Sequence, residues 1–384
     1  MELIADNAAL AAFCQRIAGS RYITVDTEFI RDRTYFPVLC VVQAAGDEEA
    51  GAIDALAEGI DLSPFFDLLA YPHLPKVFHA ARQDLEIFYN LTGKIPTPLF
   101  DTQIAAMVCG FGDSVAYETL ATRLAQARID KSMRFTDWSR RPLTPKQLTY
   151  AISDVTHLRI VYEKLSKRIE DESRSTWVAE EMAVLTSPST YESDPREAWR
   201  RLKPRSAKPR FLAVLRELAA WREEEARRRN LPRNRIIRDE TLKEIAAHEP
   251  KTVDDLNHLR SLGRGQAQGE LGRAILTAVV KGLAVPEKDC PEPTDTSHGD
   301  GTNGASVELL RVLLKMKCER HHVAQKLVAS AADIEALAEN DMADVPALHG
   351  WRREVFGEDA LALKHGKLGL TAEGNKVRMV KLER

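Results

Sequence analysis

Two carboxylates set two residues apart, Asp26 and Glu28, follow the apolar run Tyr22-Ile23-Thr24-Val25. In a strand, alternate side chains share a face, so both acids point to one side of a sheet. Strands disfavour Asp and Glu, and such a pair fits either an exposed edge or a hard divalent cation such as Mg²⁺ or Mn²⁺. A third acid, Asp84, lies in His79-Ala80-Ala81-Arg82-Gln83-Asp84-Leu85-Glu86-Ile87-Phe88, just past Val77-Phe78. Ligands of open α/β sheets gather beyond the carboxyl ends of strands, although a first-turn acid also serves simply to favour the helix dipole. Tyr150 and Asp154 stand four apart in a segment whose Leu148, Ile152, Val155 and Leu158 mark an apolar stripe. That spacing puts the phenol and the carboxylate on one helical face. Carboxylates grouped this way neutralise two divalent ions and leave positions open for phosphate oxygens. One ion then generates a hydroxide nucleophile and the other stabilises a leaving 3′ oxygen, with the tyrosine placed to position the water.

Other chemistries find less support. There is no G-x-x-x-x-G-K-[ST] phosphate loop, and Gly263, Gly265 and Gly269 do not follow the dinucleotide fingerprint, so no nucleotide cofactor is expected. His321-His322 lacks a third ligand at metal spacing, and no G-x-S-x-G nucleophile elbow is present.

The elements that must carry these residues alternate. Ile23 to Phe29, Val38 to Ala44 and Gly51 to Asp54 read as strands bounded by Pro37, Gly46 and Asp47. Leu62 to Leu69 reads as a helix capped by Ser63 with Pro64 in its first turn. A short strand Val77 to His79 is followed by a helix from Arg82 closed at Gly93, and further helices span Asp101 to Cys109, Tyr117 to Gln126 and Pro145 to Ile169. Consecutive strands predict a meander, and a strand reached through a helix predicts parallel pairing, hence a mixed α/β sheet covered by helices. After the polar hinge around Thr186 to Pro195 only helical patterns remain, including Phe211 to Arg229 and Asp239 to Ala247, and helix is expected to continue to the end of the chain. The boundaries expected are residues 1–190 for the α/β domain, 191–284 for a helical domain, 285–304 for a flexible Pro/Gly/Asp/Thr-rich linker and 305–384 for a second helical domain.

A chain of 384 residues with 44% hydrophobic and 29% charged residues is a globular protein of more than one domain. A net charge of −3 excludes a histone-like polycation but leaves local basic surfaces possible. Five cysteines without a C-x-x-C pair argue against a disulfide framework or zinc ribbon, and with no secretory signal or membrane span the expected setting is the cytoplasm.

Taken together, Asp26-Thr27-Glu28-Phe29, Asp84 and the Tyr150/Asp154 pair resemble the DEDD superfamily of 3′-5′ exonucleases, in its tyrosine subclass. The histidine subclass carries His five residues before the last Asp, where Thr149 stands here. Within the subclass the settings are similar to those of bacterial ribonuclease D: Pro37-Val38-Leu39-Cys40-Val41-Val42-Gln43 after the first motif, then His79-Ala80 and Asp84-Leu85-Glu86 with Phe88. Ala198-Trp199-Arg200-Arg201-Leu202 and Leu231-Pro232-Arg233-Asn234-Arg235-Ile236-Ile237 resemble the first HRDC domain of that family, and the last segment loosely resembles a second. The resemblance implies a ribonuclease-H-like exonuclease fold, two divalent ions (Mg or Mn) per site, and stepwise removal of nucleotides from RNA 3′ ends, usually the trailers of tRNA precursors. By motif match, Asp26, Glu28, Asp84 and Asp154 are the implied metal-binding residues and Tyr150 the implied water-orienting one.

Two basic runs are candidates for phosphate contact: Arg200, Arg201, Lys203, Arg205, Lys208 and Arg210, and then Arg227 to Arg229 with Arg233, Arg235 and Arg238. Glu223, Glu224 and Glu225 lie one turn from the arginine triplet, so a solvated helix face is the competing reading. Two rival functions share these features. Carboxylates read phosphate and not sugar, which admits a DNA 3′ exonuclease, and a non-catalytic RNA-binding module would use the basic runs alone. Every motif residue precedes Ser193, so the α/β domain alone is expected to retain exonuclease activity.

Overall fold

A computed structural model describes residues 2–382 apart from Arg205, Ala207, Arg264 and 293–303. Strands β1 (Glu2–Ile4), β2 (Ile23–Ile30), β3 (Val38–Ala45), β4 (Ala50–Asp54), β5 (Lys76–Phe78) and β6 (Leu99–Asp101) form one sheet in the order β1-β4-β3-β2-β5-β6. β3 and β4 pair antiparallel, with Val42 opposite Ile53. β5 runs parallel to β2 on one side and to β6 on the other, and β1 runs parallel to β4. The mixed sheet is as the strand order in sequence predicts. β1 and β6, at three residues each, were not expected.

Helices α1 (Asn7–Ile17), α2 (Ser63–Leu69), α3 (Arg82–Thr92), α4 (Thr102–Val108), α5 (Tyr117–Leu120), α6 (Pro145–Asp171) and α7 (Ser175–Leu185) accompany the sheet. β3 is buried along nearly its whole length, as a strand covered on both faces must be. Local chemistry sets the helix ends. Gly93 closes α3 in the left-handed conformation at φ 69°. Thr144 and Gln147 form a capping box that starts α6. At α2 the expected cap is wrong: Leu62 occupies the cap position, and the Ser63 hydroxyl donates instead to Asp61 at 2.6 Å. The helix expected over Tyr117 to Gln126 leaves α-geometry after α5, passing into a π-helical turn over Ala121–Ala125 that ends with Gln126 left-handed.

The chain divides into two compact units, one of Met1–Glu28, Cys40–Ser187 and His298–Arg384, the other of Phe29–Leu39 and Pro188–Ser297. The second unit holds α8 (Pro209–Arg229), α9 (Arg233–Ile236), α10 (Asp239–His248), α11 (Val253–Asn257) and α12 (Gly269–Ala284), packed around Trp199, Leu218, Leu242 and Ile275. α12 approaches α8 so closely that a Cβ on Gly282 would lie 2.5 Å from the Cα of Val214. The segment Phe29–Leu39, from the end of β2 to the start of β3, is bonded within this unit: Asn230 Oδ1 accepts from the backbone N–H groups of Tyr35 (3.1 Å) and Phe36 (3.0 Å). The Tyr35 hydroxyl donates to the buried Glu223, and Arg233 lies 4.7 Å from the Tyr35 ring centroid.

The C-terminal stretch of the first unit contains α13 (Gly304–His321), α14 (Gln325–Val328), α15 (Ala331–Glu339), α16 (Gly350–Arg352) and α17 (Glu358–Lys364). It packs on the α/β part. Trp351 stacks on Trp177 at 4.4 Å, Arg352 pairs with Glu181, and Arg174 donates to the backbone carbonyls of Val108, His321 and His322. Sequence predicts helix to the end of the chain, and the structure departs from that. β7 (Leu368–Glu373) and β8 (Lys376–Lys381) form an antiparallel hairpin, with Glu373 opposite Lys376 across the two-residue turn Gly374-Asn375. Gly374 has φ 58°, which such a tight turn requires. Of the linker expected over 285–304, residues 293–303 lie outside the described set, and Glu287–Asp289 forms a single 3₁₀ turn.

Candidate active site

β2 delivers Asp26 and Glu28 to one face of the sheet, as their spacing dictates. α6 brings Asp154 to the same place. Ligand oxygens of Asp26, Glu28 and Asp154 all lie within 4.8 Å of one another. Asp84, buried in the first turn of α3, stands beside this triplet: its carboxylate accepts from the Thr27 hydroxyl, and the charge of Asp26 raises its pKa. Tyr150 lies on the Asp154 side, one helical turn earlier. The five residues singled out from sequence thus converge.

The electrostatics are those of a cluster built for a counter-ion. Burial raises the carboxyl pKa of Asp26, Glu28, Asp84 and Asp154. Mutual repulsion adds to this, since Asp26 raises each of the other three. Glu28 feels three of its neighbours, and Arg134 acts in the opposite sense. Burial, then Asp154, raises the Tyr150 phenol above its ordinary range, so it stays protonated and is a donor. Asp154 Oδ1 is buried without a hydrogen-bond partner. An orphaned carboxylate oxygen aimed into an acidic cluster costs free energy unless a cation completes it. The donor set, all carboxylate oxygen, suits a hard divalent ion.

Several supporting residues were not visible in the sequence. Asp101, at the end of β6, accepts from the backbone N–H groups of Ala80 (3.0 Å) and Ala81 (2.8 Å) on one side and Gln103 (2.7 Å) on the other. It thereby fixes the sharp junction between β5 and α3, where Ala80 takes a left-handed φ of 57°. That junction aims Asp84. The Tyr117 hydroxyl donates to the Asp154 backbone carbonyl, and Trp138 packs 6.0 Å from the Tyr150 ring. Arg141 holds the segment after Trp138 in place, pairing with the buried Asp54 and donating to the carbonyls of Cys40 (2.9 Å) and Trp138 (2.7 Å). A single sequence displays no signal for these roles beyond Asp101 preceding a helix.

The basic residues separate into used and free. Arg233 is committed to Glu223 and Tyr35, and Arg200 to Glu197 and the face of Trp199. Arg201 is exposed and donates to the Ser193 hydroxyl, and Lys203 takes a left-handed φ of 46°. Arg205 lies outside the described residues. Arg235 is exposed and, with Arg238, Thr241, Ser261 and Gln266, lines a polar cleft of about 370 Å³ in the second unit.

Comparison with known proteins agrees with this chemistry. A family profile described as 3′-5′ exonuclease matches residues 1–170, and one described as HRDC domain matches residues 211–279. Ribonuclease D of Nitrobacter hamburgensis is 54% identical over 385 residues, covering 100% of both chains. Ribonuclease D of Granulibacter bethesdensis is 51% identical over 98% of this chain and 96% of its own. The crystal structure of Escherichia coli RNase D, described as an exoribonuclease involved in structured RNA processing, superposes with a TM-score of 0.81 at 31% identity, covering 95% of this chain and 98% of that one. With full-length likeness at this level, the chain belongs to the ribonuclease D family of 3′-5′ exoribonucleases.

Proposed function

We propose that this chain trims the 3′ trailers of tRNA precursors in the cytoplasm, using two divalent ions, Mg²⁺ or Mn²⁺, held by Asp26, Glu28, Asp84 and Asp154. The observation that carries the reading is the convergence of three carboxylates within 4.8 Å, one with an unpartnered buried oxygen, beside a protonated tyrosine. Divalent ions in such a site lower the pKa of an attacking water and neutralise charge on the phosphate. The protein's part is to bind and orient. Asp26 and Glu28 are fixed by the strand, Asp84 by the Thr27 hydroxyl, and Asp154 by the hold of Tyr117 on its backbone. Tyr150, a donor above Asp154, orients the water in line with the terminal phosphodiester. The free cysteines, four of them buried, accord with a reducing compartment.

The cleft of Arg235 and Arg238 is proposed to hold the phosphates of the RNA body, because neither guanidinium makes an ion pair among the described residues. Three substrates decide the matter: a 5′-labelled tRNA precursor with a short 3′ trailer, a single-stranded RNA and its DNA counterpart, each with Mg²⁺, Mn²⁺ or EDTA. Stepwise shortening of the precursor to the mature end, metal-dependent and much weaker on DNA, is the expected result. Equal degradation of DNA and RNA, or metal-independent cleavage, refutes it. For the cleft, Arg235→Ala with Arg238→Ala should flatten the dependence of tRNA binding on salt, and an unchanged slope overturns that assignment.

A further inference from the structure

We propose that Phe135 is a stacking platform for a nucleobase of the RNA 3′ end, with Arg134 braced behind the ring. Phe135 is 91% exposed. Single exposed apolar side chains are ordinary on protein surfaces; the setting of this one is not. It sits in a tight turn in which Thr136 donates to the Met133 carbonyl from both its backbone N–H (3.1 Å) and its hydroxyl (2.8 Å). Gln147, one helical turn before Tyr150, donates to the Thr136 hydroxyl at 3.3 Å. On the other side, Trp138 is buried against Tyr150 and its carbonyl is held by Arg141. The residues flanking Phe135 are therefore tied to the helix that carries Tyr150 and Asp154, while its own ring is left in water.

Arg134 gives the direction. The turn it belongs to lies near the site: Thr136 is bonded to Gln147, three residues before Tyr150, and Trp138 stands 6.0 Å from the Tyr150 ring. The Arg134 guanidinium lies 5.3 Å from the Phe135 ring centroid, a cation–π approach to one face that leaves the ring almost wholly exposed. An RNA end reaching the carboxylates passes this turn. Its flat bases match the exposed ring, and its phosphates match the guanidinium. Every base has a π-face, so such a platform accepts any sequence, as an enzyme that removes successive nucleotides needs.

The test compares Phe135→Ala, Phe135→Leu and Phe135→Trp, made in an Asp154→Asn background for binding and in the wild-type background for turnover. Stacking of one base on an aromatic side chain corresponds to roughly 5- to 150-fold in affinity. Phe135→Ala and Phe135→Leu should weaken single-stranded RNA binding and raise KM within that range with little change in kcat, and Phe135→Trp should restore both. A series of RNAs with one abasic site moved along the last four nucleotides gives the readout that a structural role would not move. At one position the lost base should weaken binding by the Phe135 protein and leave the Phe135→Ala protein unaffected. Equal abasic penalties in both proteins, or RNA binding by Phe135→Ala at the Phe135 level, overturn the proposal.

Discussion

Asp154→Asn should abolish turnover and at the same time make the metal-free protein more stable. The Asp154 carboxyl is raised from 3.8 to about 8, by burial and then by the charge of Asp26. For an acid raised on folding, the native state holds its proton after the unfolded chain has released it, so stability falls as pH rises between about 4 and about 8. At about 1.4 kcal/mol per unit, the cost of this group approaches roughly 4 kcal/mol near pH 7. Asparagine removes the charge but not the burial, and its amide inherits an oxygen position that has no hydrogen-bond partner. The net gain is therefore expected at about 1–2 kcal/mol, the usual scale for relieving a functional site. For a unit of this size that is about 2–8 °C in Tm. The assay is thermal melting in EDTA from pH 5 to pH 9, then with Mg²⁺ added. The variant should gain on the wild type steadily from pH 5 to about pH 8, and lose that gain in Mg²⁺, which stabilises the wild type and not the variant. A variant less stable than wild type in EDTA at pH 8, or an advantage independent of pH, would refute the idea that the carboxylates repel one another in wait for a cation.

Three other perturbations test the supporting structure. Tyr150→Phe should lower kcat by roughly 10²–10⁴ with little change in KM, since a phenol held protonated beside Asp154 serves the chemical step, and a KM effect alone would make it a substrate contact. Arg141→Ala leaves Asp54, whose side chain is 7% exposed, without its partner and should cost about 3–5 kcal/mol in urea denaturation; a loss under about 1 kcal/mol would show the pair to be solvated. Ending the chain near Ser193 keeps every site residue but strips the partners of Trp177, Glu181 and Arg174, so the product should aggregate or melt well below the full chain. A monomer with the full-length Tm would restore the autonomy that sequence alone leads one to expect.

What was legible follows from periodicity. Asp26 and Glu28 are legible because a strand repeats every two residues, and Tyr150 and Asp154 because a helix brings i and i+4 together. Both rules act within one element, where sequence and space coincide. The hold of Thr27 on Asp84, of Tyr117 on Asp154 and of Arg141 on Asp54 spans 57, 37 and 87 residues, and no local pattern encodes such pairings. The hairpin at the end was a different case. Its Gly374-Asn375 turn is a recognised hairpin signal, but the flanking strands carry Lys376, Arg378 and Lys381 in place of a clean apolar alternation. The Ser63 cap failed because Asp61, two residues earlier, competes for the same hydroxyl.

The segment Phe29–Leu39, from the end of β2 to the start of β3, begins one residue after Glu28, yet it bonds to Asn230, Glu223, Arg227 and Arg233. The helical unit is therefore built from two separate stretches of sequence. Removing the 188–297 segment would strip Tyr35 of Glu223, Arg227 and Arg233, so a truncation there calls for a redesign of residues 29–39 as well. Anyone building chimeras from this family faces the same constraint: the helical cassette is inherited as two pieces of sequence, and exchanging only the longer one leaves behind a receptor loop cut for a different lodger.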